Sequence, residues 1–331
     1  MLEALVTGST GFIGSHLVEA LLERGFNVKC LLREGKSNGR YIKDLDVEKF
    51  YIGDYNESEI KKSGALEGID YVFHTAGITK GITMNDFLAG NEKPTRELLA
   101  AIKSKKQNLK RFVYLSSSAV AGCALSLDEP IRRDDHSCPV ERYGKSKFAG
   151  EQAVKQSKVP FTILRPGGVY GPRDVDYFNL FKSIHGHINP FFGIRKKYHS
   201  IIHVKDLVEA TIGSISIDKT QGQTYFICNN KPVSWQKLQS IIKSATGKRF
   251  VIPLYLPEFF LDIAAFFGEW RTKRTGKFSL LNKQKAKLAK QQYLIYSNMR
   301  ARMHFGFEPE VSLEQGVKET YQWYLENKWL K

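Results

Sequence analysis

Short apolar runs alternate with amphipathic stretches through the first half of the chain, starting close to Met1. Apolar runs of this length are typical of buried strands, and the stretches between them have helical spacing. Regular alternation of strand and helix predicts an α/β fold with a doubly wound parallel sheet. The predicted strands are Leu5–Thr7, Val28–Leu32, Lys49–Ile52, Tyr71–Thr75, Phe112–Ser116 and Phe161–Leu164.

The alternation loosens after Gly171, where aromatic residues, loops and short helical stretches follow one another. Thr224–Cys228 still has the pattern of a strand that returns to the sheet edge. The sequence therefore predicts a smaller, interleaved α+β lobe, and no repeat or low-complexity linker separates it from the sheet. We assign 1–172 and about 200–228 to a Rossmann domain, and about 173–199 and 229–331 to a substrate-binding lobe.

The segment after the first predicted strand carries three spaced glycines, Gly8, Gly11 and Gly14, and continues into a helical pattern. In such units the first glycine permits a tight turn, the second lets backbone N–H groups approach a pyrophosphate, and the third lets the helix pack closely. Because a helix N-terminus also attracts anions, the segment predicts a dinucleotide-binding loop. Further cofactor contacts are predicted from Thr10, Phe12 and Ile13.

The second predicted strand is followed by Arg33 and Glu34, where dinucleotide-binding folds read the adenosine ribose. Arg33 can pair with a 2′-phosphate, and Lys36 and Arg40 follow it, so NADP is favoured as the cofactor over NAD. In the alternative, Arg33 stacks over the adenine and Glu34 accepts a hydrogen bond from the ribose of NAD.

Tyr143 and Lys147 have the spacing that places two side chains on one helix face. A tyrosine with the ordinary pKa of about 10 is a poor acid–base catalyst near neutrality. An ammonium about 4 Å away, at an effective dielectric near 20, would contribute about 4 kcal/mol, or nearly three pKa units. The hydroxyls of Ser116–Ser118 follow a predicted strand at the carboxyl edge, where doubly wound sheets bind ligands. These residues predict acid–base catalysis at a carbonyl or hydroxyl group.

Together these motifs resemble the extended short-chain dehydrogenase/reductase superfamily, also called the NAD-dependent epimerase/dehydratase group, over nearly the whole chain. The resemblance is strongest to its 3β-hydroxysteroid dehydrogenase, dihydroflavonol reductase-like and β-keto lipid reductase branch. It also rests on Gly53-Asp54, His74-Thr75-Ala76-Gly77, Asn91, Arg165-Pro-Gly-Gly-Val-Tyr-Gly-Pro172 and Ser200-Ile-Ile-His203-Val-Lys-Asp206. The resemblance implies cofactor contacts from Asp54, Tyr55, Thr75, Ala76, Gly77, Pro166, Gly168 and Val169.

The resemblance further implies hydride transfer between a nicotinamide cofactor and a carbon that bears a hydroxyl or keto group. In this chemistry Tyr143 donates or removes the proton of the oxygen. Lys147 lowers the pKa of the tyrosine and holds the ribose hydroxyls, so both residues also contact the cofactor. By the family pattern Ser117 hydrogen-bonds the substrate oxygen, and an assignment to Ser116 or Ser118 stays open.

Two substrate classes fit the resemblance. The Ala119-Val-Ala-Gly122 turn lacks the tyrosine common in sugar-converting members, and Arg33 suits net reduction with NADP. We therefore expect a ketoreductase of an apolar, lipid-, steroid- or flavonoid-like substrate. The alternative is an NAD-dependent nucleotide-sugar epimerase or dehydratase, whose diphosphate could be clamped by Arg195–Lys197, Arg300 and Arg302. A remote alternative is a non-catalytic NADP-binding regulator.

Composition narrows the partners and the location. With 50 Lys and Arg against 34 Asp and Glu, the chain has a formal charge of +16, which attracts nucleic acid, anionic bilayers or phosphorylated molecules. No RNA-recognition motif accompanies this charge, so we expect no nucleic-acid partner. The cysteines are scattered and the histidines lack carboxylate partners at ligand spacing, so we expect neither disulfides nor a metal. We expect a cytoplasmic protein without a leader, and the resemblance implies a homodimer.

The C-terminal third joins an aromatic segment, 257–268, to a basic one, 268–302, which has ten basic residues and one acidic residue. Helical spacing places Phe259, Phe260, Ile263, Phe266 and Phe267 on one face. One interpretation is weak peripheral contact with an anionic membrane, at the inner membrane face. In the other, which we favour at this point, the apolar face packs onto the substrate lobe and the lysines are merely solvated.

Overall fold

The computed structural model describes residues 1–35, 39–105, 108–132, 137–275 and 283–330. Its strands are β1 (Glu3–Thr7), β2 (Asn27–Arg33), β3 (Glu48–Ile52), β4 (Tyr71–His74), β5 (Arg111–Leu115), β6 (Phe161–Pro166), β7 (Gly168–Tyr170), β8 (Ile188–Phe192), β9 (Tyr198–His199), β10 (Ile201–His203), β11 (Gln223–Ile227), β12 (Val233–Ser234), β13 (Ile252–Leu256) and β14 (Tyr293–Leu294). Its helices are α1 (Phe12–Glu23), α2 (Glu57–Lys62), α3 (Met84–Ser104), α4 (Arg142–Gln156), α5 (Phe178–His185), α6 (Val204–Gly213), α7 (Trp235–Thr246), α8 (Phe259–Thr275), α9 (Lys283–Ala289), α10 (Met299–Phe305) and α11 (Leu313–Glu326). Short 3-10 turns occur at Ser118–Val120 and Asp218–Thr220.

Seven strands form one parallel sheet in the order β11-β6-β5-β4-β1-β2-β3. The strand order reverses between β1 and β4, which leaves a crevice at their carboxyl ends where ligands of such sheets bind. The predicted doubly wound α/β fold is confirmed. Each predicted strand overlaps a strand of this sheet, and Thr224–Cys228 corresponds to β11 at its edge.

Helices cover both faces of the sheet, which explains why its strands are almost uniformly apolar. Ala4 and Val6 of β1 belong to a core cluster with α1 and α6. Leu5, which points to the other face, belongs to a cluster with α3 and α4. All three residues are fully buried. Alternate residues of one strand therefore hold the two helical layers in place on either side of the carboxyl-edge crevice.

Smaller sheets and helices build the second part of the molecule. Strand β7 pairs with β10, β8 pairs with β13, and β9 lies between β12 and β14. Helices α5, α7 and α11 pack around a third cluster that includes Phe181, Ile242 and Tyr324. This cluster combines residues that precede β11 in the sequence with residues that follow it. The chain therefore passes between the large sheet and the second part of the molecule more than once. Helix α10 packs against the sheet cluster instead, through Ala301.

Helices α8 and α9 pack together through Leu261, Ala265 and Ala286, which form a small cluster beside Phe192 of β8. Helix α8 corresponds to the predicted aromatic helix and continues into the basic segment. Among the residues that the structure describes, no helix is both long and apolar enough to cross a bilayer.

Candidate active site

The glycine loop between β1 and α1 makes backbone contacts that leave no room for a side chain. Gly8 has a φ of +73°, and a Cβ there would lie 2.7 Å from the backbone nitrogen of Ala76. A Cβ on Gly14 would lie 2.2 Å from the carbonyl oxygen of Gly8, which accepts from the Gly11 N–H at 3.0 Å. The first amides of α1 therefore open onto the crevice, where a dinucleotide pyrophosphate fits. The other predicted residues around this loop are Thr10, Phe12, Ile13, Thr75, Ala76 and Gly77.

Asn91 of α3 fixes the loop after β4 at the same edge. Its buried amide accepts from the Ile78 N–H at 2.8 Å and donates to the Ile78 carbonyl at 3.1 Å. It also donates to the Ser146 Oγ of α4 at 2.8 Å. A Cβ on Gly77 would lie 2.7 Å from the Asn91 Oδ1 and 3.7 Å from the Lys147 Nζ. The amide thus joins this loop to α4 and keeps Lys147 beside the backbone of Gly77.

The predicted adenine end of the site lies where β2 and β3 end. Arg33 is the last residue of β2, and Asp54 follows β3 and pairs with the Lys93 Nζ at 2.9 Å. The hydrogen bond from Lys93 lowers the pKa of Asp54, and the charge of Arg33 lowers it further. The side chain of Tyr55 is buried in the core, near Thr7. A cofactor contact by Tyr55 would therefore be made through its backbone.

The three consecutive serines after β5 have different partners. Ser116 donates to a buried carboxylate of α4 at 2.6 Å. Ser118 lies in the 3-10 turn near the phenol of Tyr296, which itself donates to the Gly122 carbonyl at 2.8 Å. The Ser117 hydroxyl lies near Tyr143 and lowers the pKa of its phenol. The geometry therefore favours Ser117 among the three serines that the sequence left open.

Helix α4 begins against this serine turn. The Glu141 carboxylate caps the helix by accepting from the N–H groups of Tyr143 and Gly144, both at 2.8 Å. Gly144 lies so close to the turn that a Cβ there would be 2.5 Å from the Ala119 carbonyl oxygen. This close approach sets Tyr143 beside Ser117. The sequence analysis missed Glu141, because glutamate is not among the residues preferred at a helix N-cap.

Burial dominates the proton affinities of the two predicted catalytic residues on α4. It raises the pKa of Tyr143 to about 12, and the nearby Ser117 hydroxyl lowers this pKa by a smaller amount. It lowers the pKa of Lys147 to about 7, and the Lys147 Nζ lies 4.4 Å from the ring centroid of Tyr114. The predicted lowering of the tyrosine pKa by Lys147 is therefore corrected, because desolvation is the largest effect on the phenol and the opposing effect comes from Ser117. At neutral pH Tyr143 is protonated, and burial favours the neutral form of Lys147.

Strand β7 and the loop that follows it bring the second lobe to the site. Pro166 ends β6 and is buried, and Val169 packs against the sheet cluster. A Cβ on Gly168 would lie 2.3 Å from the Tyr177 Oη, so the phenol of Tyr177 reaches the backbone of β7. Its neighbour Asp176 is near enough to raise the pKa of Tyr143. No sequence signal identified Asp176, because it comes from a segment distant from α4.

Most basic residues considered for a diphosphate clamp have partners elsewhere. Lys197 is buried and pairs at 2.8 Å with the glutamate just before α8. Arg300 hydrogen-bonds Gln223 at the amino end of β11, away from the carboxyl edge. Arg302 pairs with Glu308 at 2.6 Å. Positions 195 and 196 are exposed on the loop before β9. The structure therefore does not gather these five residues at one site.

Comparison with known proteins adds independent information. The NAD dependent epimerase/dehydratase family model matches residues 4–228. The UDP-glucose 4-epimerase of Vibrio cholerae is 26% identical, over 97% of this chain and 95% of that protein. The 3-beta-hydroxysteroid dehydrogenase of Mycolicibacterium neoaurum is 27% identical, over 97% and 91%. The crystal structure of Thermotoga maritima UDP-glucose 4-epimerase has a TM-score of 0.80 at 22% identity, over 99% of this chain and 100% of that one, which shows a shared fold.

The match to the family covers more than half of the chain and includes the glycine loop, the serine turn and the Tyr143–Lys147 pair. Its relatives include both epimerases and dehydrogenases, so the protein is an oxidoreductase or epimerase. A nicotinamide dinucleotide is the cofactor that both the family and the glycine loop indicate. The chain belongs to the NAD-dependent epimerase/dehydratase family, within the extended short-chain dehydrogenases/reductases.

Proposed function

We propose that this protein is an NADP-dependent ketoreductase that acts on an apolar, lipid-, steroid- or flavonoid-like substrate. The observation that carries the chemistry is the approach of the Ser117 hydroxyl to the phenol of Tyr143, one helical turn before Lys147 on α4, at the carboxyl edge of the sheet. Two hydroxyls that meet at one point can bind and protonate a single carbonyl oxygen.

When bound, a reduced nicotinamide supplies a hydride to the carbonyl carbon. Tyr143 donates its proton to the carbonyl oxygen, which completes the alcohol, and Ser117 orients that oxygen by a hydrogen bond. The pKa of about 12 keeps Tyr143 protonated at neutral pH, so the phenol holds the proton that reduction of the carbonyl consumes. Lys147 holds the cofactor ribose and stabilises the phenolate that remains until Tyr143 recovers a proton from water.

Two features favour an apolar substrate over a nucleotide sugar. Lys197, Arg300 and Arg302 are engaged away from the serines and do not form a diphosphate clamp. Small apolar residues follow Ser117, and Ala121 belongs to an apolar cluster. The relative named as a 3-beta-hydroxysteroid dehydrogenase acts on such a substrate. Nucleotide-sugar epimerisation is the alternative, favoured by the relative named as a UDP-glucose 4-epimerase.

NADP is the preferred cofactor in this proposal because of Arg33. As the last residue of β2, Arg33 occupies the place where NAD-specific folds have an acid that binds the ribose. The ion pair of Asp54 with Lys93 offsets the negative charge that follows β3. Lys36, also considered for this contact, lies outside the described residues.

The activity is tested by following NADPH oxidation with a panel of steroid, flavonoid and β-keto lipid ketones. We expect Tyr143→Phe to lower kcat by about 10²–10⁴-fold, since it removes the proton donor. Tyr51→Phe, on the exposed side of β3, is the control and should retain full activity. Full turnover by Tyr143→Phe would overturn the mechanism. Interconversion of UDP-sugars with tightly retained NAD, and no ketone reduction, would establish the epimerase alternative.

Cofactor choice is tested by titrating both reduced cofactors into the protein. We expect NADPH to bind more tightly than NADH, and Arg33→Asp to reverse the order by more than about tenfold, because a charge-assisted contact becomes a repulsion. Arg24→Asp makes the same charge change at the far end of α1 and should leave the preference unchanged. Equal affinities in the unmodified protein would remove the argument from Arg33.

A further inference from the structure

Helix α8 exposes a large continuous apolar surface. Its members are Phe259, Phe260, Ile263, Phe266, Phe267 and Trp270, with exposed fractions between 41% and 59%. They repeat with helical spacing and therefore lie on one side of the helix, called here the apolar face of α8. Soluble monomers rarely leave contiguous aromatic surface of this kind in water, so the face requires an occupant.

The side of α8 that packs on the protein is the opposite one. Leu261, Ala265, Gly268 and Thr272 are buried and repeat every three or four residues. Leu261 and Ala265 join a cluster with α9 and with Phe192 of β8. This buried stripe fixes the rotation of α8 and directs the apolar face away from the protein. The expectation that the apolar face packs onto the substrate lobe is therefore wrong.

Cations lie around the apolar face, whereas the acids of α8 are paired. Asp262 pairs with Lys290, and Glu269 approaches Lys283 at 4.0 Å. Arg274 lies 4.4 Å from the ring centroid of Trp270, at the edge of the face. The exposed cations of α8 and α9 are Arg271, Arg274, Lys283 and Lys287. Lys277 and the side chains of Lys273 and Lys285 lie outside the described residues.

The loop between β8 and β9 extends the same surface. Lys197 pairs with Glu258 at 2.8 Å and donates to the Ala289 carbonyl at 2.7 Å, so the loop is attached to the start of α8 and the end of α9. Ile194 in this loop is 98% exposed and is followed by two exposed cations. A second segment thus presents an apolar side chain and positive charge next to α8.

We propose that the apolar face of α8 and the 194–196 loop bind an anionic membrane. Helix α8 lies in the interface with its aromatic side chains at the acyl boundary and its cations against lipid phosphates. A second copy of this chain bound to the same face would bring the cations of the two copies close together, where they repel each other. An anionic bilayer instead complements both the apolar surface and the positive charge. Each cation near such a surface strengthens partitioning by about fivefold.

This surface is also connected to the candidate active site. Leu288 of α9 packs in the cluster that contains Ala121 and Cys123, which follow Ser117. The Ala124 N–H donates to the Tyr293 carbonyl beyond α9 at 2.9 Å. If the proposed function holds, this arrangement places a reductase of lipid-like ketones against the bilayer that dissolves them. Membrane binding itself is measured without substrate and does not depend on that activity.

The test is sedimentation of the full chain with phosphatidylcholine vesicles, with and without phosphatidylserine, at low and high salt. We expect binding that requires phosphatidylserine and weakens with salt, because the cations are exposed and screened. A blue shift of the Trp270 emission should accompany binding and disappear in Trp270→Phe. A protein that stays in the supernatant with every vesicle at low salt would overturn the proposal.

Paired variants separate the membrane from other occupants. Phe266→Ser combined with Phe267→Ser should weaken binding by at least tenfold without changing the melting temperature, since both rings are exposed. Met303→Ser, which removes an apolar side chain that is 71% exposed on α10, is the control and should bind normally. Unchanged binding of the double variant would refute the role of α8. Loss of a dimer in the double variant, without vesicle binding by the unmodified protein, would assign the face to a second copy instead.

Discussion

Replacing Glu151 with glutamine removes the counter-charge of a buried guanidinium. The side chains of Glu151 and Arg165 are 0% and 3% exposed, and the Arg165 Nε and Nη2 donate to the two carboxylate oxygens at 2.8 and 2.7 Å. Ser116 donates to the same carboxylate at 2.6 Å. At about 2.7 Å and an effective dielectric near 20 the direct attraction is about 6 kcal/mol, which desolvation partly cancels. Breaking a buried pair from one side typically costs about 3–5 kcal/mol, and we expect this loss in the free energy of unfolding.

Urea unfolding of Glu151→Gln measures this loss, and the chain offers a matched control. Arg24 donates to both oxygens of Glu209 at 2.7 and 2.5 Å, but these side chains are 35% and 58% exposed. Glu209→Gln should therefore cost less than about 1 kcal/mol, because water solvates the remaining charge. The two variants make the same chemical change and differ in burial.

Similar, small losses in both variants would refute the reasoning, because burial would then not increase the loss of stability caused by removing one partner of the ion pair. A third measurement checks the cause of the loss. Glu151→Leu combined with Arg165→Met removes both charges and should be less destabilised than Glu151→Gln alone. An equal or larger loss in the double variant would attribute the effect to packing of α4 against β6 and not to the unpaired charge of Arg165.

Three further outcomes follow from the site. Burial lowers the pKa of Lys147 from 10.5 to about 7, so between these pH values the folded chain binds fewer protons than the unfolded chain. The free energy of unfolding should therefore rise with pH from 7 upward, by at most about 1.4 kcal/mol per pH unit. Urea unfolding of Lys147→Met at several pH values should show that this slope is lost. Gly14→Ala should weaken cofactor binding by more than about tenfold, because the new Cβ meets the Gly8 carbonyl, whereas Gly213→Ala, whose Cβ would lie 3.9 Å from the nearest atom, should leave titrated affinity unchanged. Glu141→Ala should cost about 1 kcal/mol in unfolding and lower kcat, while Glu141→Asp should restore part of both.

The local pattern of residues in the sequence was enough to predict much of the fold. Helices cover both faces of the sheet, so its central strands are buried and apolar, and they leave short apolar runs in the sequence that can be recognised one at a time. The glycine loop was recognisable for a related reason, since Gly8, Gly11 and Gly14 act within one turn of chain. The Tyr143–Lys147 pair likewise depends on a single helix. All of these features are set by neighbours in sequence.

The features that sequence reasoning left open or misjudged depend on contacts between distant segments. Ser116, Ser117 and Ser118 have equivalent side chains, and they differ because α4 brings a carboxylate to the first, Tyr143 to the second, and a tyrosine from beyond α9 to the third. The proton affinity of Tyr143 follows from desolvation by surrounding segments and not from its spacing to a lysine.

The orientation of α8 has the same origin. Its aromatic residues have the pattern of a buried face, but the stripe that packs on α9 and β8 is the opposite one, which contains Leu261 and Ala265. A helix with apolar residues on more than one side can pack in more than one rotation, and periodicity does not choose among them. The choice is made by which side fits the neighbouring elements, because burial and pairwise distances arise only when segments far apart in the chain are packed together.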